Sequence, residues 1–144
     1  FPYFAREEGM FGSPGTTIYW DYGYTTMTPD MPFHWATLVL IQVVDKHLEQ
    51  VTVTTDLGNK AVAGDPPNLE IRAKLLGYDD AKLVQQSEEH GVFKITDELP
   101  AVGTYLVAVP GHVCPTTVHY PGSHVVNEAG SITGWWEHTA RDRL

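Results

Sequence analysis

Short runs of β-branched and aromatic residues, separated by glycine and proline, follow one another along most of the chain. Residues 35–44 are apolar at almost every position, which predicts a strand that is buried on both faces. Residues 51–55 alternate between valine and threonine, the pattern of a strand with one buried face. Many short strands joined by turns predict an all-β fold, and we expect a small closed β-barrel.

Other segments predict further strands and a loop, some from a clear pattern and some from an ambiguous one. Residues 83–95 combine helix-forming residues with no helical stripe, and residues 92–95 favour an extended strand. Residues 25–34 contain two prolines and predict a loop. The remaining strand candidates share β-branched and aromatic residues bounded by turns, and they are residues 17–22, 105–109, 124–127 and 131–139, with a turn at 128–130 between the last two.

Length and charge narrow the classes of function. The 144 residues suit one domain, and 18 acidic against 9 basic residues give a net charge of −9. This balance argues against duplex nucleic acid or an anionic membrane as a partner, and no apolar run approaches the ~20 residues of a membrane span. A single cysteine cannot form an intrachain disulfide, so we expect a cytoplasmic protein. Phe1 opens no signal peptide, and we expect the chain to be a piece of a longer protein.

The clearest candidate chemistry lies near the only cysteine. If residues 112–114 are extended, the side chains of His112 and Cys114 point to the same face and can reach one metal ion. An imidazole and a thiolate suit Zn²⁺ better than Mg²⁺ or Ca²⁺. His119 or His124 could add a third ligand, although a surface histidine is the commoner role for either position. The alternative is a core cysteine and a strand-end histidine that only pack against the barrel.

Two further clusters carry candidate function. Glu88, Glu89 and His90 place two carboxylates beside an imidazole, although a solvated acidic edge strand has the same composition. The pair Trp135 and Trp136 is typical of a core or of an anchor in an interface.

In order and spacing, the segments resemble the C-terminal domain of the fold-type III pyridoxal-phosphate enzymes in the D-serine dehydratase / D-threonine aldolase group, relatives of alanine racemase. The two most specific blocks are Ser-Glu-Glu-His-Gly at residues 87–91 and Pro-Gly-His-Val-Cys-Pro-Thr at residues 110–116. Weaker matches lie at residues 14–21, 56–65 and 136–141. The sequence departs from the family pattern at Thr17, Gly111 and Asp142, whereas His112 and Cys114 are intact.

The resemblance implies a fold, a cofactor and a reaction. It implies an N-terminal TIM barrel, absent from this chain, whose lysine binds pyridoxal phosphate. Residues 1–34 would then be a connecting segment and residues 35–144 a β-barrel of the alanine racemase C-terminal type. It also implies that His112 and Cys114 bind zinc, with Glu88, Glu89 and His90 as candidates for orienting a ligand.

The activity implied is that of a D-amino acid lyase that converts D-serine to pyruvate and ammonia, with this domain inactive alone. Partners would be the N-terminal barrel, a second subunit of a homodimer and a small D-amino acid. Cys114 favours the dehydratase branch, because the second metal ligand of the aldolase branch is usually Asp.

Three alternatives remain open from the sequence. The parent protein could have D-threonine aldolase or alanine racemase-like activity. The domain could be a non-catalytic, ligand-binding β-barrel. It could also be a self-contained metal enzyme of the cupin kind that uses His112, Cys114, His119 and Glu88.

Overall fold

The structure is a computed structural model that describes residues 6–139 and residue 141. These residues form eight strands, two short helices and 3-10 turns at Thr16–Ile18 and Leu69–Ile71. The helices are α1 (Tyr22–Met27) and α2 (Val113–Val118), and the strands are β1 (Val39–His47), β2 (Thr52–Thr55), β3 (Ala73–Leu75), β4 (Lys82–Gln86), β5 (Gly91–Lys94), β6 (Tyr105–Pro110), β7 (Gly122–Val126) and β8 (Ile132–Glu137).

Six of the strands form one antiparallel sheet in the order β3-β6-β1-β2-β5-β4. The sheet curls into a nearly closed barrel, with β3 and β4 as its two ends. Strands β7 and β8 form a separate two-stranded sheet. The expectation of an all-β, barrel-like fold is therefore confirmed. None of the helices in residues 6–139 is long and apolar enough to cross a membrane.

Strand β1 shows where the apolar pattern was misleading. Val39, Ile41 and Val43 point into the core, but Leu40 between them is 67% exposed. The prediction of burial on both faces is therefore wrong for this chain, because the outer face of β1 lies open to solvent. The strand also begins at Val39 rather than at Trp35.

The ambiguous segment 83–95 is a β-hairpin. Strands β4 and β5 pair antiparallel, with residues 87–90 as the connection. Leu83 and Phe93 are paired across the hairpin, and both are fully buried. Antiparallel pairing and burial therefore override the helix propensity of the glutamines and glutamates.

Residues 17–22 do not form the expected strand. They contain a 3-10 turn, and α1 begins at Tyr22, inside the segment predicted to be extended. Asp21 decides this start, because its carboxylate accepts a hydrogen bond from the backbone N–H of Tyr24 at 2.8 Å. Trp20 precedes it, 4% exposed, and contributes its aromatic surface to packing against Phe33.

The remaining expectations divide into confirmed and untested ones. Strands were expected over residues 105–109, 124–127 and 131–139, and β6, β7 and β8 confirm them. Phe1 and Asp142 lie outside the described residues. The division into a connecting segment and a barrel at residue 35 stays a prediction.

Candidate metal site

The residues around His112 do not form the extended strand on which the same-face argument depended. His112 itself is extended, with φ −141° and ψ 101°, but it is the residue before α2, and Cys114 lies in the first turn of that helix. Side chains in a helix do not alternate with period two. The relative position of the two groups is therefore set by the start of a helix rather than by the pleat of a strand.

His112 is paired with the carboxylate of Asp65, which was not among the site residues predicted from the sequence. Its Nδ1 lies 2.5 Å from Oδ2 of Asp65, and the two side chains are 39% and 53% exposed. A carboxylate accepts hydrogen bonds, so this contact places a proton on Nδ1, and in a neutral imidazole the lone pair then lies on Nε2. The sequence did point to Asp65 in one respect, because this residue ends the 56–65 block that carries part of the family resemblance.

Cys114 is exposed, so its thiol can be reached from solvent. Its Sγ lies 3.5 Å from Oγ1 of Thr16, in the 3-10 turn before α1. The backbone carbonyl of Cys114 accepts a hydrogen bond from Oγ1 of Thr117 at 2.8 Å. The N-terminal segment and α2 therefore meet at the thiol.

One buried carboxylate holds both helices in place. Asp21 is 1% exposed; its Oδ1 caps α1 through the N–H of Tyr24, and its Oδ2 accepts the N–H of Val113 at 3.0 Å. The backbone N–H of Gly23 also donates to the carbonyl of Gly111 at 3.1 Å. Asp21 therefore fixes the position of α1 relative to the start of α2. The residues on either side of Val113 are fixed with that helix start.

The loop that carries Asp65 is tied to α2 by a threonine hydroxyl. Oγ1 of Thr116 donates to the carbonyl of His112 at 2.7 Å and accepts the N–H of Ala63 at 3.1 Å. Close packing continues at Gly111, where a Cβ would lie 1.8 Å from the carbonyl oxygen of Ile71. Gly111 is one of the positions that depart from the family pattern. A side chain there would clash with the backbone unless the backbone shifted.

Glu88, Glu89 and His90 lie in the exposed turn between β4 and β5. Lys60 donates a hydrogen bond to Glu89, and this bond, together with the attraction of that carboxylate, raises the pKa of the Lys60 ammonium. The backbone N–H of Lys60 donates to the carbonyl of Glu88 at 3.0 Å. The structure thus joins this turn to residues 59–60, and the role of the three residues in orienting a metal ligand stays a prediction.

The other C-terminal histidines serve different contacts. His124 packs edge-on against Trp135, with 4.9 Å between ring centroids. His138 joins the hairpin to the end of α2, because its Nδ1 lies 3.0 Å from the carbonyl oxygens of Thr117 and Tyr120. Across residues 6–139 and 141, no three His, Cys, Asp or Glu side chains are gathered as a metal cluster. The three-ligand site of a self-contained metal enzyme is therefore not assembled in this part of the chain.

The domain is a barrel-like antiparallel sheet, and an imidazole–carboxylate pair and a thiol lie at the start of one of its helices. These features are shared by a class of domain. The family described as the putative serine dehydratase domain matches residues 36–126, more than half of the chain. The chain therefore belongs to this family.

Two mycobacterial proteins are similar in sequence to this chain, and to the same extent. The chain is 34% identical over 86 residues to the uncharacterized protein Rv1414 of Mycobacterium tuberculosis and equally to the uncharacterized protein Mb1449 of Mycobacterium bovis. Each match covers 58% of this chain and 65% of the relative. The chain thus spans slightly less than two thirds of these relatives.

Solved structures share the fold over much of the chain. D-threonine aldolase from Filomicrobium marinum matches 90% of this chain and 35% of its own, with 25% identity and a TM-score of 0.76. D-threo-3-hydroxyaspartate dehydratase from Delftia sp. HT23 matches 72% of this chain and 32% of its own, with 21% identity and a TM-score of 0.58, which shows the fold alone. These findings confirm the resemblance to the D-serine dehydratase / D-threonine aldolase group.

Proposed function

We propose that this chain is the metal-binding C-terminal domain of a pyridoxal-phosphate-dependent D-amino acid lyase, with D-serine as substrate and pyruvate and ammonia as products. The observation that carries the proposal is the hydrogen bond between His112 and Asp65 at the start of α2, two residues before the exposed thiol of Cys114. Family membership supports the reaction class.

The donor set fits zinc. Neutral imidazole and thiolate are both common ligands of Zn²⁺, and a site with two protein ligands leaves positions for water or substrate. A metal-bound histidine usually donates its other N–H to a carboxylate, and Asp65 already occupies that place beside Nδ1 of His112. When bound, such an ion supplies Lewis acidity toward a substrate hydroxyl group.

The residues of this chain prepare the site for that ion. Asp65 holds the proton on Nδ1 of His112, which keeps the Nε2 lone pair available. Thr16 places its hydroxyl beside the Cys114 thiol and can donate a hydrogen bond that stabilises the thiolate. Asp21 and Thr116 fix the backbone that carries both ligands.

Pyridoxal phosphate would bind to a separate N-terminal barrel, and two apolar surfaces of this chain suit the docking of that barrel and of a second subunit. On the hairpin, Trp135 and Trp136 are 51% and 61% exposed. On the outer face of the barrel, Leu40 and Tyr105 are likewise exposed. A two-stranded hairpin is marginally stable by itself, so a covering partner would stabilise β7 and β8.

D-threonine aldolase activity is the second candidate. It is favoured by the likeness to the Filomicrobium marinum enzyme, which extends over 90% of this chain. Both reactions use a metal ion at a substrate hydroxyl group, so the domain alone supports either. A ligand-binding barrel without catalysis is the remaining alternative.

The reaction is tested by measuring pyruvate release from D-serine. We expect no release by the chain alone, because the proposed lysine for the cofactor belongs to the N-terminal barrel. Release is expected from a longer protein in which a pyridoxal-phosphate barrel precedes this chain, with zinc present. Acetaldehyde and glycine formed from D-threonine, with no pyruvate from D-serine, would instead establish the aldolase.

Asp65→Ala is expected to weaken zinc binding by about 10–100-fold, because the ring of His112 loses the carboxylate that orients it. Asp65→Asn keeps an oxygen that accepts the N–H bond, so a smaller loss is expected. Calorimetric titration of the metal-free chain with Zn²⁺ measures both variants.

Glu89→Ala is the matched control for this experiment. It removes an exposed carboxylate whose partner is Lys60, and its zinc affinity should equal that of the wild type. If Glu89→Ala weakens zinc binding and Asp65→Ala does not, the orienting carboxylate is Glu89.

A further inference from the structure

Arg72 is a half-buried cation whose side-chain hydrogen-bond partners among the described residues are all uncharged. Its Nε donates to the carbonyl oxygen of Pro66 at 2.7 Å, and its Nη1 donates to Oε1 of Gln86 at 3.1 Å. Within residues 6–139 and 141, no carboxylate lies within ion-pair distance of its guanidinium. The chain has twice as many acidic as basic residues, yet none of the described carboxylates pairs with this half-buried guanidinium.

Three lysines of the barrel have carboxylate partners. Lys60 pairs with Glu89, Lys74 with Asp79, and Lys82 with Glu70. Lys60 and Lys82 are exposed, where an ion pair contributes little to stability, whereas Lys74 is half-buried and reaches the exposed carboxylate of Asp79. A partly desolvated guanidinium gains more from a negative partner, because the surrounding dielectric constant is lower.

The guanidinium keeps donors for such a partner. Arginine has five N–H donors, and the two contacts with Pro66 and Gln86 leave Nη2 without a hydrogen-bond partner among the described residues. Among the described residues, Nη2 of Arg72 is not one of the fully buried polar atoms that lack a partner, so solvent has some contact with it. Its planar fork matches the two oxygens of a carboxylate.

Arg72 also borders the candidate metal site. Pro66, which binds its Nε, directly follows Asp65, the partner of His112. The backbone carbonyl of Arg72 accepts the N–H of Gly111, the residue before His112, at 2.7 Å. At Gly64 a Cβ would lie 3.6 Å from Nη1, an ordinary van der Waals distance, so the loop backbone lies beside the guanidinium.

We propose that Arg72 is a binding residue for a small carboxylate anion beside the His112–Asp65 pair. Identifying this anion as the carboxylate of an amino acid rests on the proposed function. The fork of Arg72 would then hold one end of a substrate whose hydroxyl group faces the metal ligands. Asp65 is bonded to His112 through Oδ2 and forms no ion pair with Arg72.

The test is a titration of the ¹⁵N-labelled, metal-free chain with malonate at constant ionic strength, followed by NMR. We expect saturable shifts of the Arg72 Nε–H and of the amides of Gly64 and Gly111, with a dissociation constant on the order of 10 mM for a single unassisted fork. Arg72→Lys keeps the charge and loses the fork, so at least about fivefold weaker binding is expected.

Lys94→Gln is the matched control, because it removes one positive charge from an exposed strand position, and it should bind malonate as the wild type does. The proposal is overturned if malonate produces no localised, saturable shift, or if Arg72→Lys binds it equally well. Phosphate binding more tightly than malonate would overturn the assignment to a carboxylate.

Zinc content, measured on the same variants, separates this proposal from the proposed function. Loss of malonate binding in Arg72→Lys with zinc retained supports a separate carboxylate site. No binding of zinc by the wild type under excess Zn²⁺ contradicts the metal site and leaves the malonate result to decide the role of Arg72.

Discussion

His112→Ala and Cys114→Ala are each expected to abolish the zinc content of the purified chain, which should be near one ion per chain in the wild type. Each substitution removes one of only two protein ligands, and the remaining one cannot hold the ion against water. We expect affinity to fall about 100-fold or more. Elemental analysis after dialysis gives the metal content, and calorimetry with added Zn²⁺ gives the affinity.

His119→Ala is the matched control for these two variants. His119 is exposed at the C-terminal end of α2, the same helix that carries Cys114, and its loss should leave the zinc content unchanged. Weak binding by the wild type would mean that the N-terminal domain or the substrate completes the site. No binding under excess Zn²⁺, or zinc retained in both ligand variants, would contradict the metal role.

Asp21→Ala is expected to lower the free energy of unfolding by about 2–4 kcal/mol, because one carboxylate satisfies the N-terminal N–H groups of two helices. The N–H of Val113 would be left buried without an acceptor. Asp21→Asn should lie between the wild type and Asp21→Ala, since the carboxamide can accept only through its one oxygen. Urea denaturation measures all three proteins.

Asp30→Ala is the control for Asp21→Ala, because Asp30 is exposed and its substitution should change the stability by less than about 0.5 kcal/mol. An equal effect of the two substitutions would show that Asp21 does not hold α1 and α2 together. The Asp21 variants should also weaken zinc binding if the helix start sets the position of Cys114.

Local patterns were sufficient for the strands that pair with their neighbours in sequence. The alternation of residues 51–55 and the turn at 128–130 predicted β2 and the β7–β8 hairpin, because side-chain period and turn chemistry are properties of a few consecutive residues. The apolar run in β1 predicted a strand, but not that Leu40 would be exposed. Whether a face is covered depends on what packs against it, which residues 35–44 do not encode.

Tertiary contacts decided the segments where local preference was weak or misleading. Residues 17–22 favour a strand by composition, yet a helix starts there because the carboxylate of Asp21 meets the N–H groups of Tyr24 and Val113. The latter is 92 residues away along the chain. No window of neighbouring residues contains that interaction.

Part of the candidate site could likewise be predicted from the sequence, and part of it depended on tertiary contacts. The sequence by itself determined the barrel-like all-β class, the family, and His112 and Cys114 as a possible ligand pair, because these depend on periodicity and on residues close together in a motif. Only the tertiary structure showed that Asp65, 47 residues earlier, faces His112 and that Arg72 lies beside this pair. Their proximity follows from the pairing of β3 with β6 and from the hydrogen bonds that anchor the 56–67 loop, which bring residues distant in sequence to one edge of the barrel.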